Sequence, residues 1–141
     1  MECPFCKILT EQTEQVLKQS EHTFTVLSNP RLMPGHTLVI PKRHVEKMSE
    51  LSSDERRELF DEALRVEEKI LARLAPGCDM TQHYRPFIPQ NDLKVDHLHI
   101  HVRPRHLNDD LYTKVQARER EVFAELSKEE CEKYRKLLFE D

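Results

Sequence analysis

The stretch DHLHIHVRPR, residues 96–105, sets a histidine at every second position: His97, His99 and His101. A β-strand projects alternate side chains to opposite sides. Extended, this run lines three imidazoles along one surface and turns Leu98, Ile100 and Val102 into a core. Arg103 and Arg105 share the parity of the histidines, so the polar face continues as cation. Such a surface suits an anion or a metal.

The chain around this run has 141 residues, enough for one domain with a single core, here taken as 1–141. Charged residues make up 34 % and the hydrophobic set 38 %, which suits a globular chain with much exposed helix. The formal net charge is −4, so no global basic field recruits nucleic acid, and anion binding must come from a local cluster. No stretch approaches the ~20 apolar residues of a membrane span, so no membrane partner is expected. The opening MECPFCKILTEQ lacks the basic and apolar regions of a signal peptide, and the expected compartment is the cytoplasm. Four cysteines, at 3, 6, 78 and 131, are too few and too unevenly spaced for a secreted disulfide framework.

Working outward, EQVLKQSEHTFTVLS reads as two short strands around Ser20–Glu21, with Phe24, Val26 and Leu27 inward. The run HTLVIP follows the turn MPG as another strand. A long helix begins at Ser52, where Ser52 and Glu55 make a capping-box pair. Leu59, Phe60, Ala63, Leu64, Ile70, Leu71 and Leu74 recur along it at helical spacing, and Ala75-Pro76-Gly77 ends it. Residues 78–87 look extended, and 96–104 form the histidine strand. From about Leu111 to residue 141 the chain turns helical, with a second capping pair at Ser127 and Glu130. Short antiparallel strands with separate helices make an α+β domain.

Three readings of the alternating histidines are open on spacing alone. They are solvated strand residues, or ligands of one catalytic zinc, or a nucleophile with two neighbours that hold phosphoryl oxygens.

The run HLHIHV, together with PGHTLVIPKRH upstream and CPFC near the start, resembles the histidine triad family of nucleotidyl hydrolases and transferases. The resemblance covers roughly residues 3–105. It implies a five-stranded antiparallel sheet with flanking helices, paired as a homodimer, and a nucleotide as substrate. It implies that His99, the middle histidine, is the nucleophile on a nucleoside α-phosphate. His101 then contacts the phosphoryl oxygens, and His36, of the PGH turn, supports the site. The chemistry is self-consistent, because imidazole is substantially neutral near pH 7 and needs no separate base. Attack gives a phosphoramidate that water or another acceptor resolves. Arg85, Lys94, Arg103 and Arg105 are candidate cations for the developing charge.

This sequence departs from the family pattern at two places beside the triad. Arg103 stands where the pattern is apolar, and Leu93-Lys94 replaces Gln-Ser/Thr in the segment before the triad. Both changes place cations where a leaving group would lie. The position for the ribose-binding acid or amide falls on Ser28, with Asn29 beside it.

The CPFC motif has two readings. A Cys-Pro-x-Cys pair is redox-active when it opens a helix after a strand, but here it precedes every expected strand. Its spacing also suits half of a tetrahedral zinc site. The resemblance supplies the other half, His44 and His97, so that Cys3, Cys6, His44 and His97 close a structural zinc. Cys78 and Cys131 read as small buried apolar residues.

Two classes of function follow. One is an enzyme cleaving a phosphoanhydride or phosphoramidate at a nucleoside α-phosphate. The other is a nucleotide-binding homodimer whose main role is interaction, with weak turnover. A catalytic-zinc hydrolase is a third reading.

Overall fold

In the computed structural model, which describes residues 2–140, the histidine run enters the fourth position of a five-stranded sheet. The elements in chain order are α1 (Pro4–Glu11), β1 (Lys18–Gln19), β2 (Thr23–Leu27), β3 (Thr37–Pro41), α2 (Ser53–Arg73), β4 (Gly77–Gln82), β5 (Ile100–Arg105) and α3 (Lys128–Phe139). The sheet runs β1-β2-β3-β5-β4, with every neighbour antiparallel. The expected five-stranded antiparallel sheet with flanking helices is the fold observed.

Two compact units divide the chain, Met1–Asp109 and Asp110–Asp141. The first holds the whole sheet with α1 and α2. The second contains single turns at Leu111–Val115 and Gln116–Glu121 and the helix α3. Ser127 caps α3 by accepting the Glu130 N–H at 3.1 Å. No helix among the described residues is long and apolar enough to cross a membrane.

Register assigns the two faces of the sheet. Leu38 and Thr81 both lie opposite His101, so all three point to the same side. Phe24, Val26, Leu38 and Ile40 make the apolar part of that side, and Phe5 and Ile8 of α1 cover it. On the other side Val39, Leu98, Ile100 and Val102 pack on Leu59, Ala63 and Ile70 of α2. Leu98 is fixed by donating its N–H to the Val45 carbonyl at 2.7 Å. Alternation in the histidine run therefore gives the core its Leu, Ile and Val and leaves the imidazoles to the α1 side.

Helix α2 starts where its capping box requires. Ser52 Oγ accepts the Glu55 N–H at 3.2 Å, and Glu55 Oε1 accepts the Ser52 N–H at 2.8 Å. The Arg43 guanidinium, ahead of the capping bonds, holds the Glu55 carboxyl down to about 2.

Some apolar positions fall differently from expectation. Phe60, Leu64, Leu71 and Leu74 are 54 %, 37 %, 46 % and 50 % exposed. They sit about 100° round the helix from the stripe that meets the sheet, because 3.6 residues make a turn. Leu27, at the end of β2, is exposed as well, and so is Cys131, since α3 buries none of its residues. Cys78 is half-buried against the α2-side core. Residues 4–11 form a helix that the sequence pattern does not announce.

The turn before β3 depends on Gly35. Its φ is +83°, and a Cβ there would come within 2.4 Å of Leu74 Cδ2 and 3.1 Å of Pro104 Cγ. Only a residue without a side chain fits both the left-handed backbone and the space.

Candidate functional site

Hydrogen bonds fix which nitrogen of each triad imidazole is available. His99 donates from Nδ1 to the His97 carbonyl at 2.7 Å. Its Nε2 therefore carries the lone pair and has no partner among the described residues. Burial lowers the pKa of His99, and Arg103 lowers it further, while the bond to the His97 carbonyl works the other way. The ring is thus neutral and basic at Nε2.

His101 is set from the β3 side. The Leu32 N–H donates to His36 Nδ1 at 3.2 Å, so His36 carries its proton on Nε2. That nitrogen lies 2.9 Å from His101 Nδ1 and donates to it. His101 then keeps its own proton on Nε2, a donor with no acceptor among the described residues. Burial is the first cause holding His36 at about 4 and His101 at about 2, with Arg103 and His99 adding to it in both. Side by side, the face offers a nucleophilic nitrogen on His99 and an N–H donor on His101. Their ring centroids are 4.7 Å apart.

His97 shares that side, where Phe5 touches both it and His99, but it turns its free nitrogen to the Cys/His cluster. Its Nε2 is 2.8 Å from the Pro41 carbonyl and donates to it, which leaves Nδ1 unprotonated. That Nδ1 lies 3.3 Å from Cys3 Sγ, 3.6 Å from Cys6 Sγ and 3.1 Å from His44 Nδ1. Cys6 Sγ is 3.5 Å from His44 Nδ1, and the four donor atoms all lie within 4.8 Å of one another. Around a tetrahedral zinc, N–N separations are about 3.3 Å and N–S about 3.6 Å, from bond lengths of about 2.0 and 2.3 Å. The set fits that ion. Burial, then the Cys3 thiol, pushes the Cys6 thiol up to about 11, so a bound metal displaces its proton.

The cations separate into two kinds. Arg105 is buried and ion-paired with both Asp79 and Asp109, the latter at 2.8 Å. Its parity is that of the triad, but its guanidinium is occupied, a correction to its expected place among the phosphate contacts. Arg103 forms no ion pair with the described residues, and its Nε is buried without a partner. Burial lowers its pKa, Asp79, opposite it in the register, works the other way, and Arg105 and Arg85 add to the lowering. Lys94 pairs with Asp96. Arg85 is exposed beyond β4. Ser28 and Asn29 lie in the loop between β2 and β3. Ser28 donates its N–H to the His36 carbonyl at 2.8 Å and its hydroxyl to the Pro30 carbonyl at 2.9 Å.

A model of the HIT domain matches residues 9–108. The chain belongs to the HIT family. It is 34 % identical to a HIT-like protein of Methanocaldococcus jannaschii over 110 residues, covering 76 % of this chain and 81 % of that one. A bis(5'-adenosyl)-triphosphatase of Dictyostelium discoideum is 29 % identical over 134 residues, 88 % of this chain and 85 % of its own. An adenosine 5'-monophosphoramidase of Schizosaccharomyces pombe is 32 % identical over 111 residues, with shares of 74 % and 75 %. Among solved structures, a HIT family protein of Bacillus anthracis superposes with a TM-score of 0.73 at 23 % identity, covering 97 % of this chain and 94 % of that one. A Zn-bound histidine triad family protein of Mycobacterium smegmatis gives 0.66 at 25 % identity, with shares of 79 % and 80 %.

Two residues of this HIT site escape the sequence reading. Phe5 of α1 sets its ring edge-on to His97 and His99, at 5.7 and 5.0 Å between centroids. It bridges the Cys/His cluster and the triad. His83, just past β4, brings its ring to 5.0 Å from that of His101. Its signal was present, since Asp79, Thr81, His83 and Arg85 alternate as the triad does. By itself that period implies only extended chain.

Proposed function

We propose that this HIT protein hydrolyses, or transfers the nucleotidyl group of, a phosphoanhydride or phosphoramidate at a nucleoside α-phosphate. His99 Nε2 attacks phosphorus, and the bond from phosphorus to the leaving oxygen or nitrogen breaks with its electron pair on the leaving group. Water or another acceptor then attacks, the N–P bond breaks, and the imidazole is restored. The observation that carries this is the unpartnered Nε2 of His99 opposite a fixed Nδ1 donor bond. His101 donates to a non-bridging oxygen, and His36 holds His101 in the tautomer that allows it. Arg103, Arg85 and Lys94 compensate charge on the leaving side, and Ser28 and Asn29 meet the ribose. The relatives named as a triphosphatase and a phosphoramidase support both substrate classes.

A zinc held by Cys3, Cys6, His44 and His97 is part of the proposal. With four protein ligands it has no open position, and it supplies folding energy, not chemistry. The chain pairs with a second copy through the exposed stripe of α2 and the free edge of β4.

The deciding experiment is His99→Ala with a dinucleoside triphosphate and a nucleoside phosphoramidate. Turnover should fall by roughly a thousandfold or more, as removal of a nucleophile does, with nucleotide affinity nearly kept. Rapid quenching of the wild type should trap a nucleotidyl group on His99. A label on another residue, or near-normal turnover of the variant, removes this mechanism.

A further inference from the structure

We propose that His83, with Arg85 and Arg103, forms a second anion subsite beside His101. It takes the phosphate adjoining the one attacked, so that phosphoanhydrides are the substrate class this face serves best. The inference rests on the reading of His99 as nucleophile.

The fold puts His101 between two other imidazoles. On the β3 side is His36, and on the β4 side is His83, with ring centroids 5.1 and 5.0 Å away. The two flanking rings differ in what they have left to offer. His36 is buried and has both nitrogens engaged, one by the Leu32 N–H and one by His101. His83 is half-buried, and neither of its ring nitrogens makes a hydrogen bond with the described residues. It is an open imidazole one step along the face from the group assigned to the α-phosphate.

Charge around His83 is of one sign. Arg85 lies two residues on, and Arg103 stands on the neighbouring strand. Burial lowers the pKa of His83 first, then Arg85, Arg103 and His99, and no carboxylate opposes them. Asp79, which register places opposite Arg103, is instead ion-paired with Arg105. Among the described residues, the buried side-chain polar atoms lacking a partner are Thr81 Oγ1 and Arg103 Nε. Thr81 lies opposite His101 in the strand register, so both unpaired atoms belong to this one patch. Buried polar atoms are normally paired, and two exceptions in one patch, one of them on a guanidinium that forms no ion pair with the described residues, offer an anion donors to meet.

The chemistry of the leaving group separates the substrate classes. In a phosphoanhydride the atom beyond the bridging oxygen is a second phosphorus carrying its own negative oxygens. In a phosphoramidate of a simple amine that place holds an uncharged substituent with no use for three cationic or protonatable groups. A phosphate there also stabilises the imidazolium of His83 and gives both nitrogens an acceptor.

Two measurements test this. The first compares kcat/KM of the wild type and His83→Ala on diadenosine triphosphate and on adenosine 5'-phosphoramidate. The variant should lose about tenfold or more on the triphosphate relative to the amidate, as loss of one charged hydrogen bond implies. The second follows the His83 imidazole of the wild type by NMR titration. Its pKa should rise with a methylene-bridged diadenosine triphosphate and stay near its free value with AMP. Equal losses on both substrates, or the same response to AMP as to the dinucleotide, overturns the subsite. If the wild type turns over neither substrate, the enzymatic reading fails, while the NMR contrast still decides whether the second anion binds at His83.

Discussion

Each imidazole of the triad has one nitrogen committed to a backbone or ring partner, and that commitment sets what its other nitrogen can do. His97 presents a lone pair to thiols, His99 presents one to the open face, and His101 presents a proton. Alternation in the sequence was enough to place the three on one face. It carried no information on tautomers, because the acceptors are carbonyls of Pro41 and His97 and the donor is the Leu32 N–H, none of which a side-chain pattern displays. The same neutrality has a thermodynamic consequence. His36 and His97 are lowered to about 4 and His101 to about 2, chiefly by burial, whereas an unfolded imidazole takes its proton near 6.5. Below about pH 6.5 the unfolded chain binds protons that the folded chain refuses, so stability falls as pH drops from there towards about 4. Melting temperatures of the metal-free protein between about pH 7.5 and 5 should decline, and His36→Gln should make the decline shallower. An unchanged slope in the variant would show that His36 is not held neutral by the fold.

At the scale of elements, legibility followed length and periodicity. Helix α2 has 21 residues and a complete capping box, and its start was readable to the residue. Its outward stripe of Phe60, Leu64, Leu71 and Leu74 was not separable from the inward one, since both recur at helical spacing. The eight residues of α1 are too few for a period to declare itself, and isolated helices of that length are marginal in water. What holds α1 is tertiary: Phe5 and Ile8 on the sheet, and Cys3 and Cys6 against His97 and His44. Cys3→Ser should therefore reduce bound zinc well below one ion per chain and lower the melting temperature in the same sample, with part of the turnover retained. Elemental analysis that finds no zinc in wild-type protein purified without chelator would dispose of the ion, and α1 would then be held by packing alone.

For the whole molecule, the sheet divides labour between its sides. One side packs on α2 and makes the larger core, and the other carries α1, the Cys/His cluster and the triad, of which His97 and His99 precede β5 and only His101 lies on it, so the strand expected over 96–104 begins at Ile100. Net charge said nothing about this arrangement, because a chain of −4 overall still gathers Arg103, in no ion pair with the described residues, next to four histidines. Arg105 has the parity expected of it, but its guanidinium is taken up by two carboxylates, one near in sequence and one far. Asp109 lies four residues on, whereas Asp79 comes from β4, and only the folded sheet brings it to this guanidinium. The exposed apolar stripe of α2 is the surface on which we place the second copy. Sedimentation of the wild type at micromolar concentration should give a dimer, and Leu64→Glu with Leu71→Glu should give a folded monomer. A wild-type monomer under those conditions, or an unaltered dimer in the double variant, would move the interface elsewhere or abolish it.

The turn that delivers His36 works through an absence. At His36, His99, Cys3 or Arg103, replacement by alanine removes atoms and reads out what they did. At Gly35 the same replacement adds one, into the end of the Leu74 side chain and the ring of Pro104, on a backbone with φ of +83°. A scan designed to delete interactions thus becomes, at this single position, a scan that inserts one. Its effect would be transmitted along the chain to the imidazole next door, and a loss of turnover there would report a displaced histidine while every functional group remained in the protein.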